Sequence, residues 1–467
     1  MESGSAANVA CDLAEVPLGI GRISIRVSPG SYFAALFLTT FVSAYLLYLE
    51  YDLAGTVLLV LGTPLLVFLA YKDRLAFDGR RLFRTGIIPR TWARMNGMRD
   101  RLKISDIEQV ETQAIRSIKR GGSVIYRYRT SLRGKGVVFT LATGGDGYRQ
   151  MIKAVLPLLP ENVLDNRSIE LRDYLSERRE ALRKAKCSNI PPADVLENSF
   201  SEIAMRDRKS SRAAQAETGV GDAEDLRKLA NELRLAGSLL QALETFRRAL
   251  RLRPRDAWLL FEFARCLQSF AGSQRDRTLE RKAVALMRLS EQRAGKDGVL
   301  LARLGEAYFQ SGEWRRAGIA FQRAIEGVGE SFRSLRGMAE IALREGKIAH
   351  VIHNFAAANR LAETPALRRW TQAEVEYFSR LNEDDEYMEM ELSRVNLLDT
   401  LESIGKSGLR IAFLTFPLIA AGVFFEDDLA ANVGWAISGI SLLVWVGVIF
   451  LRRLLSPRIP FELVKED

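Results

Sequence analysis

The stretch "LARLGEAYFQSGEWRRAGIAFQRAI", Leu301 to Ile325, decides how this chain is built. Its apolar residues recur at three- and four-residue intervals and break at Ser311-Gly312, which predicts two amphipathic helices joined by a tight turn. Large residues at Leu301, Leu304, Tyr308 and Phe321 interleave with small ones at Gly305, Ala317 and Ala324. Small residues let two helix backbones approach, and an aromatic ring then fills the gap to the next pair. Thirty-four residues later the pattern returns as Leu335, Met338, Ala339, Ala342, Val351, Phe355 and Ala358, with Gly346 matching Gly312. An earlier copy runs through Leu226, Leu229, Ala230, Leu233, Ala242, Phe246, Ala249 and Pro254. Between them, Leu260, Phe263, Ala264 and Leu267 open a copy whose second helix supplies Ala283, Met287 and Ser290 after an insertion near "GSQRDRT". A single helical hairpin cannot bury its apolar face alone, so such a period predicts a stack.

The order and spacing resemble the tetratricopeptide repeat family over residues 223–365, and Trp370, Ala373 and Tyr377 begin a degenerate copy in capping helices over 366–408. The resemblance implies an all-α solenoid that binds a peptide or helix in a groove lined by each repeat's first helix. That lining would comprise Arg227, Asn231, Arg234, Trp258, Phe261, Arg265, Arg303, Phe309, Arg333 and Arg336. Arg227 and Asn231 stand where chaperone-binding members place a carboxylate clamp, and Arg303 adds to it. Glu262 and Val299 occupy other clamp positions, a departure that speaks against capture of a C-terminal carboxylate. What remains is a basic and aromatic groove suited to an acidic segment of a protein partner.

Outward from the solenoid, four stretches carry no acidic or basic side chain: Val27–Leu49, Leu53–Tyr71, Ile411–Phe425 and Leu429–Leu451. A bilayer core asks for roughly 20 apolar residues in a helix. Two transmembrane hairpins are therefore expected, over 27–71 and 409–451, with Arg410 snorkelling at the start of the second. The first begins too far from Met1 and runs too long to be a cleaved signal. Cys11 lacks the apolar stretch that a lipoprotein acceptor requires, and Cys187 and Cys266 are isolated, which fits a reducing compartment.

Basic residues flank the open ends of both hairpins (Arg22, Arg26, Lys72 and Arg74; Lys406, Arg410, Arg452 and Arg453), whereas Glu50, Asp52 and Glu426–Asp428 mark the closed ends. The positive-inside rule then places both termini and residues 72–408 in the cytoplasm, at a bacterial inner membrane. Topology and anionic lipid account for part of the net charge of +10, and no nucleic-acid-binding signature accompanies it. Neither hairpin puts Asp, Glu, Lys or His in mid-membrane, which argues against a transporter or proton pump. Pro64 and Pro417 are expected to kink one helix in each hairpin.

From Leu75 the pattern shifts to short strand-like runs, opened by the Asp78-Gly79 turn in "LAFDGRRLFR" and continued by "DIEQVETQAI", "SVIYRYRTSL" and "GVVFTLAT". "GYRQMIKAVLPLLP" follows with helical spacing at Met151, Ile152, Val155, Leu158 and Leu159. Strands closed by one helix, directly after a membrane hairpin, resemble the bacterial pleckstrin-homology-like domain over about residues 72–160; the insertion "GIIPRTWARMNGM" departs from it. Residues 72–130 hold fifteen Lys or Arg against six Asp or Glu. Arg84, Arg90, Trp92, Arg94, Arg99 and Arg101 are the candidate surface toward the anionic headgroups of membrane lipids, beside Ile87 and Ile88.

Residues 161–222 read as a charged helix followed by a polar, flexible tether. Chemistry is not indicated. His350 and His353 lack a third donor, "GGDG" at Gly144–Gly147 lacks the Lys-Ser or Lys-Thr of a P-loop, and no nucleophile or paired-carboxylate motif is present. The expectation is a multi-domain membrane protein without enzymatic activity, cofactor or metal: an N-terminal cytoplasmic segment (1–26), two transmembrane hairpins, a small β-rich domain, a solenoid, and a cytoplasmic tail (452–467). Its expected role is a scaffold that organises protein partners at the membrane. The alternatives are an accessory subunit packed through its hairpins, or lipid sensing through the basic domain.

Overall fold

A computed structural model describes residues 23–455 apart from 28–29, 89, 92–99, 119–123, 143–145, 198–222 and 275. The chain is mostly helical with a small antiparallel sheet region. Among the described residues, three helical stretches are long and apolar enough to cross a membrane: Asp52–Lys72, Asp385–Phe424 and Asp428–Arg452, which marks a membrane protein. A fourth apolar helix, α1 (Gly30–Tyr48), pairs with the first of these through α2 (Asp52–Val57) and α3 (Thr63–Lys72). A π-turn over Leu58–Gly62 lies just before Pro64. A π-turn is one way a helix adjusts to a proline whose ring and missing N–H disturb the preceding turn.

The sheet region begins before the membrane. Strand β1 (Ile23–Arg26) pairs antiparallel with β2 (Arg74–Phe77), in the register Ile25↔Leu75. The apolar hairpin is thus inserted between two neighbouring strands, and residues 23–26, read above as part of an N-terminal segment, belong to the sheet. β3 (Arg81–Arg84) and β4 (Arg101–Lys103) complete four strands. Asp78 builds the β2–β3 turn, its Oδ1 accepting from the backbone N–H of Arg80 (3.0 Å) and Arg81 (2.7 Å), with Gly79 at φ 88°. A second sheet holds β5 (Gln109–Ile118), β6 (Val124–Gly134) and β7 (Val137–Ala142), and α4 (Asp146–Val155) follows it. Leu82, Leu132, Leu141, Met151, Ile152 and Val155 form the solvent-free core between strands and helix.

Two helices come next, α5 (Asn166–Tyr174) and α6 (Arg178–Cys187). Five helical pairs then stack in order: α7 (Ala223–Leu235) with α8 (Leu239–Leu252), α9 (Ala257–Gln274) with α10 (Arg277–Arg293), α11 (Gly298–Gln310) with α12 (Trp314–Val328), α13 (Phe332–Arg344) with α14 (Ile348–Arg360), and α15 (Pro365–Glu383) with α16 (Asp385–Leu414). The arrangement is a helical repeat. The small residues sit where helices approach: a Cβ on Gly305 would stand 2.7 Å from the Phe321 ring, and one on Gly337 would overlap the same ring from the next pair. Phe321 therefore locks α11, α12 and α13 together.

α16 continues without interruption from the solenoid into the apolar segment. It breaks at Thr415, and α17 (Phe416–Phe424) restarts with Pro417 in its first turn before α18 (Asp428–Leu455) returns. The two apolar helix pairs pack on each other. The Phe37 and Phe413 rings stack at 5.2 Å, Trp435 lies within 5.7 Å of Phe41, Tyr45 and Tyr48 between ring centroids, and the Tyr48 hydroxyl donates to Asn432 Oδ1 at 2.9 Å.

Candidate functional site

The ten candidate groove residues all lie on first helices: α7 carries Arg227, Asn231 and Arg234, α9 carries Trp258, Phe261 and Arg265, α11 carries Arg303 and Phe309, and α13 carries Arg333 and Arg336. Four of them, Arg234, Arg265, Arg303 and Arg333, meet this chain's own segment Glu161–Tyr174. Glu170, in the middle of α5, is buried between two arginines, with Oε1 2.6 Å from Arg265 Nε and Oε2 3.0 Å from an Arg234 terminal nitrogen. Burial alone would raise the Glu170 carboxyl, but Arg234, Arg265 and Arg167 hold it below the usual carboxylate range. Removal from water pulls the Arg265 guanidinium below its ordinary value despite Glu170.

The contacts continue along the segment. Arg303 reaches Glu161 Oε1 at 2.9 Å and lies over the Trp258 ring at 5.3 Å. Arg333 donates to Glu306 Oε2 (2.7 Å), Asn166 Oδ1 (3.1 Å) and the carbonyls of Glu161 and Leu164 (3.1 and 3.0 Å). Asn166 in turn donates its backbone N–H to Glu306 Oε1 at 2.9 Å and its side-chain amide to the Arg303 carbonyl at 3.1 Å. Asp165 caps α5 through the Ser168 N–H at 2.9 Å, and burial together with the nearby Glu306 carboxylate pushes it up to about 6.

The same segment holds the β-rich region from its other side. Ser168 Oγ lies 2.7 Å from Thr112 Oγ1, which is 3.0 Å from Thr130 Oγ1, itself 2.8 Å from the Tyr148 hydroxyl, a buried chain of hydroxyls through β5, β6 and α4. Backbone pairing adds Asp165 N–H to the Val110 carbonyl at 3.2 Å. The Tyr128 hydroxyl on β6 donates to the Leu235 carbonyl at the end of α7 (2.9 Å), and at the far end of the stack Arg369 faces Asp106 (3.5 Å). One apolar cluster runs from Leu132 and Leu141 through Ile169 and Leu171 to Phe332 and Leu367. Residues 161–174 are therefore packed between the sheets and the helical repeat, and α6 packs on α7, where the sequence reads only as a charged helix leading into a tether; residues 198–222 lie outside the described residues.

The residues expected at clamp positions bond to one another within the helical repeat. Glu262 accepts from Arg227 at 2.7 Å through both oxygens and from the Asn231 amide at 2.8 Å. Phe261 is buried under Arg265. Phe309 stacks near Trp314 with Arg344 over both rings, and Arg336 pairs with Glu340 (2.7 Å) over Trp370.

Of the candidate membrane-surface residues, Trp92, Arg94 and Arg99 lie outside the described residues. Arg101 is exposed, and Arg90 faces Asp100 at 3.7 Å. Arg84 instead turns inward: it binds the buried Asp73 at 2.5–3.0 Å, and Asp73 also accepts from the Tyr32 hydroxyl of α1 (3.1 Å) and the Gly86 N–H (3.2 Å). This knot joins the apolar helix pair α1–α3 to the sheet. His350 and His353 are both exposed, and among the described residues no three His, Cys, Asp or Glu side chains converge as a metal site. No protein-family model and no curated protein matches the chain.

Proposed function

We propose that this chain is a non-catalytic scaffold of the cytoplasmic membrane, whose tetratricopeptide-like solenoid organises protein partners through a groove selective for acidic helical segments. The observation that carries this reading is Glu170 between Arg234 and Arg265: the groove accepts a helix presenting a carboxylate, and its own α5 is the resident example. A buried carboxylate held by two guanidinium groups demands charge and shape together, which favours an acidic helix over an unselective surface. The charge flanking each hairpin supports cytoplasmic placement of the solenoid and of a pleckstrin-homology-like sheet region. A partner segment gains access when α5 leaves, so binding is coupled to release of the sheet region from the solenoid.

The test is crosslinking and mass spectrometry of the tagged full chain at native abundance, beside Glu170→Gln and Arg265→Glu versions matched for level and membrane insertion. A discrete partner captured more by Glu170→Gln and lost with Arg265→Glu is the expected result. The same partners at the same yield in all three would remove the groove from the function and give the lead to an accessory subunit packed through its hairpins.

A further inference from the structure

A second feature does not depend on the solenoid. Between α1 and α3 runs a groove of about 700 Å³, lined by Leu36, Thr40, Pro64, Val67, Phe68 and Tyr71. The hydroxyls of Thr40 and Thr63 bond back to the Leu36 and Leu59 carbonyls, so the surface they leave is apolar. From Tyr71 to Thr63 the helix rises about 12 Å, close to the roughly 15 Å of one leaflet's hydrocarbon. The deep end is set by the π-turn and Pro64, and the shallow end by two cations. Arg26 lies over the Tyr71 ring at 4.8 Å and Lys72 over the Phe68 ring at 4.6 Å; both side chains are exposed. The span containing α3 is also the least buried of the three, with 6% of its apolar window covered.

We propose that this groove holds one acyl chain of an anionic phospholipid, with the phosphate on Arg26 and Lys72. An open apolar groove at hydrocarbon depth fits a chain. Two stacked cations at headgroup level select a net negative head over a zwitterionic one, whose own ammonium they would repel. The bound lipid spans the junction between the inserted hairpin and the β1–β2 pair, since Arg26 ends β1 and Lys72 ends α3.

Native mass spectrometry of the full chain in micelles with equimolar phosphatidylglycerol and phosphatidylcholine of matched acyl chains tests it. The expected result is one phosphatidylglycerol retained with about tenfold preference. Arg26→Gln with Lys72→Gln should remove the preference, and Val67→Trp should reduce retention of that lipid, while Leu443→Trp on exposed α18 surface should not. Circular dichroism and size-exclusion profiles equal to wild type establish that the variants fold; should Val67→Trp fail this check, Val67→Ser takes its place as the variant that weakens chain binding. Equal retention of the two lipids, a preference that survives the double substitution, or full displacement by glycerophosphoglycerol, which lacks the chains, would each overturn the proposal.

Discussion

Glu170 Oε1 on α5 lies 2.6 Å from Arg265 Nε on α9, although the two residues come from parts of the chain with no local reason to meet. Arg234 completes the cluster, so one buried carboxylate faces two buried guanidinium groups. Removing the acid leaves both cations desolvated without a counter-charge. Glu170→Gln should therefore cost about 3–5 kcal/mol in the docking of α5, the magnitude found when one member of a buried ion pair is removed. Hydrogen exchange is the measurement, with protection of Asn166–Tyr174 falling while that of α11–α14 stays as in wild type. Unchanged protection would mean that the apolar contacts of Ile169 and Leu171 alone hold the segment.

Asp165 works in the opposite sense. Burial and Glu306 raise its carboxyl from 3.8 to about 6, so the folded state binds a proton more readily than the unfolded state. Its stabilising contribution is complete below pH 3.8 and is lost as pH rises through about 6. Asp165→Asn keeps an acceptor for the Ser168 N–H and removes the charge. It should raise stability by about 1–2 kcal/mol at pH 8 and leave it nearly unchanged at pH 4. Thermal unfolding at the two pH values reads this directly, and an equal shift at both would exclude the charge as the cause.

The repeat makes its own prediction at Phe321, whose ring fills the space above Gly305 and Gly337. A methyl at residue 337 has no room beside that ring, so Gly337→Ala should destabilise the solenoid by about 1–3 kcal/mol. Phe321→Leu costs on its own through lost burial, yet it makes room for the methyl. The double variant should accordingly cost less than the sum of the two, with a coupling of about 1 kcal/mol or more in denaturant unfolding. Strict additivity would place the two residues in separate environments.

Much of the helical architecture was legible because it is written at short range. Gly312, Gly346 and the recurring Ala–Phe spacing mark helix pairs, and unbroken apolar runs mark the membrane segments, both signals within a few dozen residues. Two features were not. Strand β1 is four residues long and its partner lies beyond the membrane hairpin, so neither length nor alternation announces it. The occupant of the groove was equally hidden: "NRSIELRDY" shows only a charged helix, and nothing within it says which surface Glu170 meets. The repeat register puts Arg234, Arg265, Arg303 and Arg333 on first helices, but their pairing in cis depends on tertiary contacts alone. Arg84 misled for a related reason, since a basic run on a membrane-proximal strand looks solvated until a buried Asp73 is placed beneath it.

That Asp73–Arg84 pair yields the final prediction. Asp73 closes the end of α3 with its side chain almost fully buried, and it gathers Arg84, the Tyr32 hydroxyl and the Gly86 N–H onto one carboxylate. The knot fixes the angle at which the membrane hairpin leaves the sheet, because Tyr32 belongs to α1 and Arg84 to β3. Arg84→Gln strands a buried carboxylate and should cost about 3 kcal/mol or more. Asp73→Asn keeps most of the shape but weakens the charge-assisted bonds, at a cost of about 1–2 kcal/mol. Combining them removes both charges, so the double variant should recover at least about 1 kcal/mol relative to the sum of the singles. The readout is unfolding of the full chain in detergent, together with proteolytic cleavage in residues 23–27 and 72–88, which should rise most in Arg84→Gln. If the single and double variants unfold alike, the ion pair carries no net energy and the hairpin is held by its helix packing.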